Sequence, residues 1–555
     1  GLFLLEIVFG FRERELIHGF TPLLGHLRYY AKIVDLFRVS LTTVWDATEN
    51  LEVITKVQYT EMEAGDRAAQ LTKCSPALQS SVAGIDDCRF DDETTMSLIG
   101  VNGEKHGHEE YDSLSVGVTA NWSVGEYTIT SVTGYTELTH EQALEIDFTH
   151  LDKLSSDPRV EEFDSFSQEI RIASPVGETF EYIAGLYYES SDLYRKNAFN
   201  VSPALARVGE NWQDGESAAI FGSVGWNMSD SLTLTIGGRF TEDKKDLHKV
   251  MYYAGAKGGA KLPITTVPGL GTAHDVNFDR KDSEFSPTIT LEWNPSDNHM
   301  YYFNYAEGFK SGGYDITSGS SLNDEVEFQP ETVKSFEIGT KATLLEGAME
   351  LNVAIFRSEF SDLQVSTFDG NFSMLVGNAA ESVAEGIEVD MRWALTDELT
   401  LNLAAAYLNA EYDSYEAAQC TAAQTAATAP GVVCTQDMSG EDLTFAPERA
   451  ANLGLVYSTD ITDSLNMRLS TDLNYTSEYW VAGDADPNVL EDGFVKVNAL
   501  VAISSADGWE VSIVGKNLTN EKTSHWGNDA PGSAGSYYKY LDRTRNITLS
   551  AAYNF

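Results

Sequence analysis

Period-two alternation governs this chain from about residue 38 to its C-terminus. Leu232, Leu234, Ile236, Gly238 and Phe240 interleave with Thr233, Thr235, Gly237 and Arg239. Leu399, Leu401, Leu403, Ala405 and Tyr407 alternate with Thr400, Asn402, Ala404 and Ala406. Ile387, Val389, Met391 and Trp393 alternate with Glu388, Asp390 and Arg392, and Leu465 to Tyr475 repeats the pattern. Successive side chains of a strand point to opposite faces, so each run is a strand with one apolar and one polar face. Helical periodicity is almost missing.

The connections sort into two kinds. Short polar turns fall at Asp46–Asn50, Ser123–Gly125, Pro175–Glu178, Asn227–Ser231, Asn294–Asn298, Leu345–Ala348, Thr396–Glu398, Thr459–Asp463 and Ser504–Gly508. Between them run long polar segments, near 64–109, 142–162, 193–215, 247–283, 311–331, 364–381, 414–445, 478–493 and 520–542. Strict short–long alternation puts every short turn at one end of the assembly and every loop at the other. That asymmetry belongs to outer-membrane barrels, with periplasmic turns and external loops. The count is about nineteen strands. In an odd wall the first and last strands run in the same direction and cannot close by antiparallel pairing. An unpaired edge near 36–46, or one patched by residues 1–35, is therefore expected.

Aromatic residues mark a depth. Trp45, Trp122, Trp226, Trp293, Trp393 and Tyr457 each end a strand just before a short turn, and the last strand ends on Phe555. Amphipathic rings at one level form a girdle at a membrane interface. Arg171, Arg239, Glu388, Asp390, Arg392, Arg468 and Asp472 lie on the polar faces. In a membrane barrel they must face the lumen, because a charge facing lipid at mid-depth costs about 2–4 kcal/mol. In a secreted, soluble β-rich binding or adhesion protein, the alternative architecture, the same faces would be inverted.

Composition narrows the partners. The net charge of −48 repels a phosphate backbone, so nucleic acid is not expected. With 42% hydrophobic residues the chain is too apolar for disorder. No stretch approaches the roughly 18 apolar residues of a membrane helix. Cys74 and Cys88, and Cys420 and Cys434, form two local pairs with the same interval, expected as two loop disulfides in an oxidising compartment.

No catalytic set emerges, and no cofactor is expected. His106 and His108 with Glu109 and Glu110 are possible metal ligands, but they read as a solvated loop tip. Gly255 to Ala260 lacks the strand-to-helix setting of a phosphate loop. Asp86–Asp87 and Asp91–Glu93 read as solubilising charge.

Several runs together carry a family resemblance. Tyr301 to Tyr314 (YYFNYAEGFKSGGY), Phe328 to Lys341 (FQPETVKSFEIGTK), Asn378 to Trp393 (NAAESVAEGIEVDMRW), Phe445 to Tyr457 (FAPERAANLGLVY) and Gly515 to Lys522 (GKNLTNEK) follow in order. As an ordered set over about 38–555 they resemble the β-barrel domain of TonB-dependent outer-membrane receptors. The resemblance implies an all-β transmembrane up-and-down barrel embedded in outer-membrane lipid. It also implies import of a scarce nutrient, a ferric siderophore or similar metal chelate, driven by the TonB complex through a plug domain. No plug is recognisable, and the family barrel has about 22 strands. The chain therefore divides into an atypical segment 1–35 and a barrel 36–555, expected to be a fragment without energised uptake of its own. Loops carry binding residues, which makes Tyr314, Phe368, Phe372, Trp526 and Tyr537 the expected ligand contacts.

Overall fold

The computed structural model describes the chain apart from residues 1–2, 15–34, 66–68, 83–84, 86–87, 92–106, 150, 152–153, 203, 369–373, 379–380, 430–433 and 554–555. Twenty strands form one antiparallel sheet, each paired with its neighbours in sequence. They are β1 (Phe3–Arg14), β2 (Asp35–Thr48), β3 (Leu51–Gly65), β4 (His108–Val124), β5 (Tyr127–Glu145), β6 (Ser155–Ala173) and β7 (Phe180–Ser202). Then follow β8 (Leu205–Ser229), β9 (Leu232–Ala254), β10 (His274–Ser296), β11 (His299–Lys310), β12 (Glu331–Leu344), β13 (Met349–Ser361) and β14 (Glu381–Ala394). The last six are β15 (Leu399–Ser414), β16 (Arg449–Thr462), β17 (Leu465–Thr476), β18 (Phe494–Ser505), β19 (Trp509–Lys516) and β20 (Asn546–Tyr553).

All nine short turns read from the sequence are hairpin turns of this sheet. In the hairpin between Val124 and Tyr127, Gly125 has φ 65°, a left-handed value that glycine adopts without strain. Two of the expected loops are largely strand. In place of a loop at 193–215, β7 and β8 pair up to Ser202 opposite Leu205. In place of one at 247–283, β9 runs to Ala254 and β10 begins at His274. Burial goes on alternating there: Leu247, Lys249, Met251 and Tyr253 are buried on one face of β9. The polar composition of these stretches reflects height. A membrane crossing uses about 9–11 residues, whereas β7 to β10 have 23, 25, 23 and 23. They stand well clear of the hydrocarbon, where polar residues suit both faces.

The nineteen strands read from the sequence are β2 to β20, and the segment before them adds one more. Phe3–Arg14 forms β1, paired with β2 from Phe3 opposite Trp45 to Arg14 opposite Asp35, and so covers the edge expected near 36–46. With twenty strands, β1 and β20 run in opposite directions. Among the described residues no ladder joins β1 to β20, and β20 is exposed along its length.

The wall is apolar outside. Leu186 and Ile220 are 60% exposed, and Ile236, Ile338 and Ile355 are exposed beside them on one continuous face. Leu399, Leu401 and Leu403 enclose no core and are half-exposed. So large an apolar surface fits a lipid environment and not a soluble sandwich. Trp45, Trp122, Trp226, Trp293 and Tyr457 are exposed on that face at the turn end, and Trp393 is half-exposed. Trp293 stacks on Tyr301 at 5.4 Å and Trp226 on Phe180 at 6.2 Å, which makes the band continuous across hairpins. Phe555 lies outside the described residues.

The opposite face carries the charges expected to face the lumen. Arg171 pairs with Glu169 at 2.6 Å, and Arg239 lies over the Tyr187 ring at 5.1 Å. Arg468 reaches Glu510 at 3.7 Å, and Asp472 accepts hydrogen bonds from Asn474 and Asn498 at 2.7 and 2.6 Å.

Buried apolar clusters gather instead among the loops. Ala69, Leu71, Leu78, Val82, Phe148 and Ala530 form one; Tyr412, Ala418 and Met438 form another. Cys74 is bonded to Cys88 and Cys420 to Cys434, each within one loop. Two outcomes follow from this architecture. Ile338→Arg, on the lipid face near the middle of β12, should destabilise the barrel in lipid vesicles by about 2–4 kcal/mol, read by reversible denaturant unfolding. Ser335→Arg, on the lumen face of the same strand, should stay within about 1 kcal/mol of the parent. Unreduced peptide mapping should find both cysteine pairs linked locally, with no cross-links between the two loops.

Candidate ligand-binding mouth

Only the loop end carries enough chain to build a site. Loop 311–331 folds back onto the face of β9 and β10 opposite the lipid, inside the mouth of the wall. Three cations of that face hold it. Lys245 Nζ donates to Ser311 Oγ and Gly312 O, both at 2.7 Å. Lys249, 2% exposed, donates to Asp315 O at 3.2 Å. Arg280 donates to Asp282, to Glu327 at 2.9 Å and to Phe328 O at 2.7 Å.

The chain passes so close to Arg280 at Gly312 that a Cβ there would collide with the guanidinium and with Phe328 O. Glycine is needed for the approach. Asp315 closes the loop on itself by accepting from Thr317 N and Thr317 Oγ1 at 2.9 and 2.7 Å. The next loop is tied in as well. Gln364 Nε2 donates to Ser311 O and Gln329 O, and Asn378 both donates to Gln329 O and accepts from Gln329 N.

A second group of loops spans the two ends of the sheet. Tyr537–Leu541, in the loop before β20, pairs with Ala69–Lys73, in the loop after β3, and with Ser524–Asp529. Phe148, from the loop after β5, stacks on Tyr538 at 4.0 Å. Lys539, itself buried, donates to Leu490 O at 2.7 Å and pairs with Glu491 at 3.0 Å. Burial pushes the Glu491 carboxyl up, against the pull of that lysine. Burial also pushes Asp529 up to about 7, with the Asp484 and Asp486 carboxylates adding to it, and Asp484 up to about 6.

Of the five aromatic residues expected to touch ligand, three have described side chains, each with its own packing partners. Tyr314 is buried, stacks on Phe278 at 5.6 Å and packs with Leu247 and Val326. Tyr537 is buried among Val481, Ala482 and Val489. Trp526 is half-buried, stacks on Phe445 at 5.8 Å and donates from Nε1 to Tyr538 at 3.4 Å. Phe368 ends a short loop strand, Gln364–Phe368. Phe372 lies outside the described residues.

Glu109 is taken by His140 at 2.8 Å and by Gln142 at 2.9 Å. His108 and Glu110 lie in β4, and His106, Asp86, Asp87 and Glu93 are outside the described residues. Gly255 to Ala260 is a tight turn beyond β9, with Gly259 N donating to Gly255 O at 3.0 Å.

Below the mouth, the lumen face holds a concavity of about 490 Å3 lined by Tyr302, Lys341, Asn352, Glu388, Asp390 and Asn452 among others. Its floor includes Ala404, Ala406 and Ala450, and these small side chains leave the space. The arrangement suits a polar, partly cationic occupant. Lys249 and Arg280 were not singled out by sequence because they fall in 247–283, a stretch taken as loop; Lys245 lies just before it and was not singled out either. Hydropathy from Leu247 to Tyr253 (LHKVMYY) does not alternate, so the continuing strand shows only in the burial of Leu247, Lys249, Met251 and Tyr253 on one face.

Comparison with known proteins agrees with this geometry. A family model described as TonB dependent receptor-like, beta-barrel, matches residues 78–518. The pesticin receptor of Yersinia enterocolitica is 25% identical over 231 residues, 41% of this chain and 31% of that protein. A probable TonB-dependent siderophore receptor, PiuA of Acinetobacter baumannii, is 25% identical over 174 residues, 30% of this chain and 21% of that protein. The chain thus aligns with a third or less of the length of these relatives. The crystal structure of the ferric yersiniabactin uptake receptor FyuA from Yersinia pestis superposes with a TM-score of 0.72 at 15% identity, over 95% of this chain and 71% of that one. At that identity the likeness concerns the fold. With the family model spanning most of the wall, the chain belongs to the TonB-dependent receptor-like β-barrels of the bacterial outer membrane.

Proposed function

We propose that this chain is the barrel of a receptor that takes up a bulky metal chelate, a ferric siderophore above all, across the outer membrane. In this reading a plug domain couples the barrel to the TonB complex. The observation that carries it is the mouth: loop 311–331 is anchored inside a twenty-strand wall by Lys245, Lys249 and Arg280. A general pore of this width, like the 16–18-stranded porins, leaves an aqueous channel. Loops fastened over and into the opening suit capture of a particular solute. The matched relatives named as siderophore and pesticin receptors supply the substrate class.

Among the expected contacts, Trp526 retains accessible ring surface on the loop side, and we assign it to the ligand. Tyr314 and Tyr537 act by holding their loops from within. Phe368 and Phe372 stay with this proposal as contacts of the 364–381 loop.

The barrel joined to a plug of this family, in cells lacking other receptors, should support TonB-dependent uptake of radiolabelled ferric chelate. The chain alone should support none. Uptake that persists without TonB would contradict the receptor reading. With the same chelate, Trp526→Ala should weaken binding about tenfold with loop protease resistance unchanged, a loss near 1.4 kcal/mol. Tyr314→Ala should instead open loop 311–331 to protease. Equal binding by parent and Trp526→Ala would remove Trp526 from the site.

A further inference from the structure

The lipid-facing side of the wall is not uniform. Across β11 to β15, Phe303, Ile338, Ile355, Ile387 and Tyr407 stand directly opposite one another in register, all exposed on that side. A ring closes each end of the row, and three isoleucines lie between. The next row towards the loops puts Tyr305 and Phe336 on one flank. The row towards the turns sets Val353 and Val389 between Tyr301 and the small Ala405. Isoleucine and valine stand lower above a sheet than Phe or Tyr, so the strip between the rings is a trough. Its volume is about 820 Å3.

The trough ends against charge. The outward residues that follow Ile355 and Ile387 towards the loops are Arg357 and Glu385, themselves directly opposite each other. Arg357 Nε donates to Glu359 Oε1 at 2.9 Å, and Nη1 donates to Glu385. Two carboxylates thus fix the guanidinium, and among the described residues nothing bonds to Nη2. Lys334 lies diagonally beyond it, opposite Glu307 and Glu359, and its ammonium has no partner among the described residues. A crossing takes about 9–11 residues, and Arg357 is the ninth residue of β13 counted from the turn end. The cluster therefore sits at the outer edge of the hydrocarbon, at the depth of lipid head groups. Ion pairs this exposed contribute little to stability, so folding alone does not account for an arginine held on both sides above an apolar trough.

We propose that the trough holds one membrane phospholipid with a phosphoethanolamine head. An acyl chain lies over Ile338, Ile355 and Ile387 between the aromatic flanks. The phosphate meets Arg357 Nη2 and Lys334, and the ammonium meets the carboxylates of Glu385 and Glu307. Both signs are present and the acids outnumber the bases, which suits a head carrying both charges and opposes one that is only anionic. An ethanolamine ammonium can donate hydrogen bonds to those carboxylates, as a lysine does, whereas a choline head has no N–H to give. The trough is continuous with the face that meets lipid, so it fills from the bilayer without any movement of the loops. The inference rests on the outer-membrane barrel and is independent of the solute that the mouth takes.

The test uses the full chain in detergent and defined lipids. Protein stripped of lipid is titrated with lipids of identical acyl chains and ethanolamine, choline or glycerol heads, and native mass spectrometry counts those retained. One ethanolamine lipid per chain is expected, held about tenfold more tightly than either of the others. Arg357→Gln should weaken that binding by about tenfold. Ile355→Trp, which fills the trough without altering charge, should abolish it. Lys244→Gln removes a cation from the outward face of β9, where Lys244 pairs with Glu216 at 3.7 Å, and should bind as the parent does.

Heat-modifiable mobility on electrophoresis checks that each variant is a folded barrel; should Ile355→Trp not fold, Arg357→Gln decides alone. Equal retention of the three heads would reduce the trough to ordinary lipid-facing surface and overturn the proposal. So would a parent chain that retains no lipid, preference for the glycerol head, or an Arg357→Gln chain that keeps the ethanolamine lipid as firmly as the parent.

Discussion

Everything in this molecule depends on the backbone hydrogen bond in a solvent that offers none. Inside a bilayer an unpaired N–H or C=O costs several kcal/mol, so a strand can cross only with a ladder on each side. The chain meets this for β2 to β19 with nineteen consecutive antiparallel pairings, from β1–β2 to β19–β20; among the described residues β1 and β20 have one ladder each. Once the ladder is fixed, side chains have only two directions, and the period-two pattern decides which meets lipid. That is why Ile220 and Leu186 are displayed, while Arg239 and Asp472 turn to the lumen and find partners there.

The distribution of burial is the reverse of a soluble protein's. Apolar side chains of the wall remain exposed for the membrane to cover, and the packed interior is built at the loop end. There the long strands β7 to β10 rise into water and present an inner face on which loop 311–331 settles. On the other flank, pairing between segments some 465 residues apart in sequence, Thr72 with Tyr537, brings the two ends of the sheet together. Cations anchor one flank and carboxylates crowd the other.

Much of this was legible in the sequence. The hairpin turns, the exposure of the aromatic residues beside them and the charges on the face opposite the apolar one follow from local rules of alternation and turn chemistry, which need no knowledge of the rest of the chain. What escaped was non-local. Residues 193–215 looked like a loop because their composition is polar, although polarity there records height above the membrane. Tyr314 and Tyr537 looked like ligand contacts because they sit in loops; their burial depends on Phe278 in one case and on Val481 and Val489 in the other.

The loop end is packed as several separate small clusters. Leu247, Tyr314 and Val326 form one; Phe199, Met251, Tyr253 and Leu270 another; Val481, Ala482, Val489 and Tyr537 a third. Local opening free energies scale with the contacts each unit must break, so units this small open at a fraction of the cost of unfolding the wall. The mouth is thus a set of small shutters, some tied to a neighbour as loop 311–331 is to loop 364–381, mounted on a wall that opens at higher cost. A solute that stabilises one shutter need not wait for the others, and amide exchange at the rim should run in several distinct rates above a slow, uniform barrel.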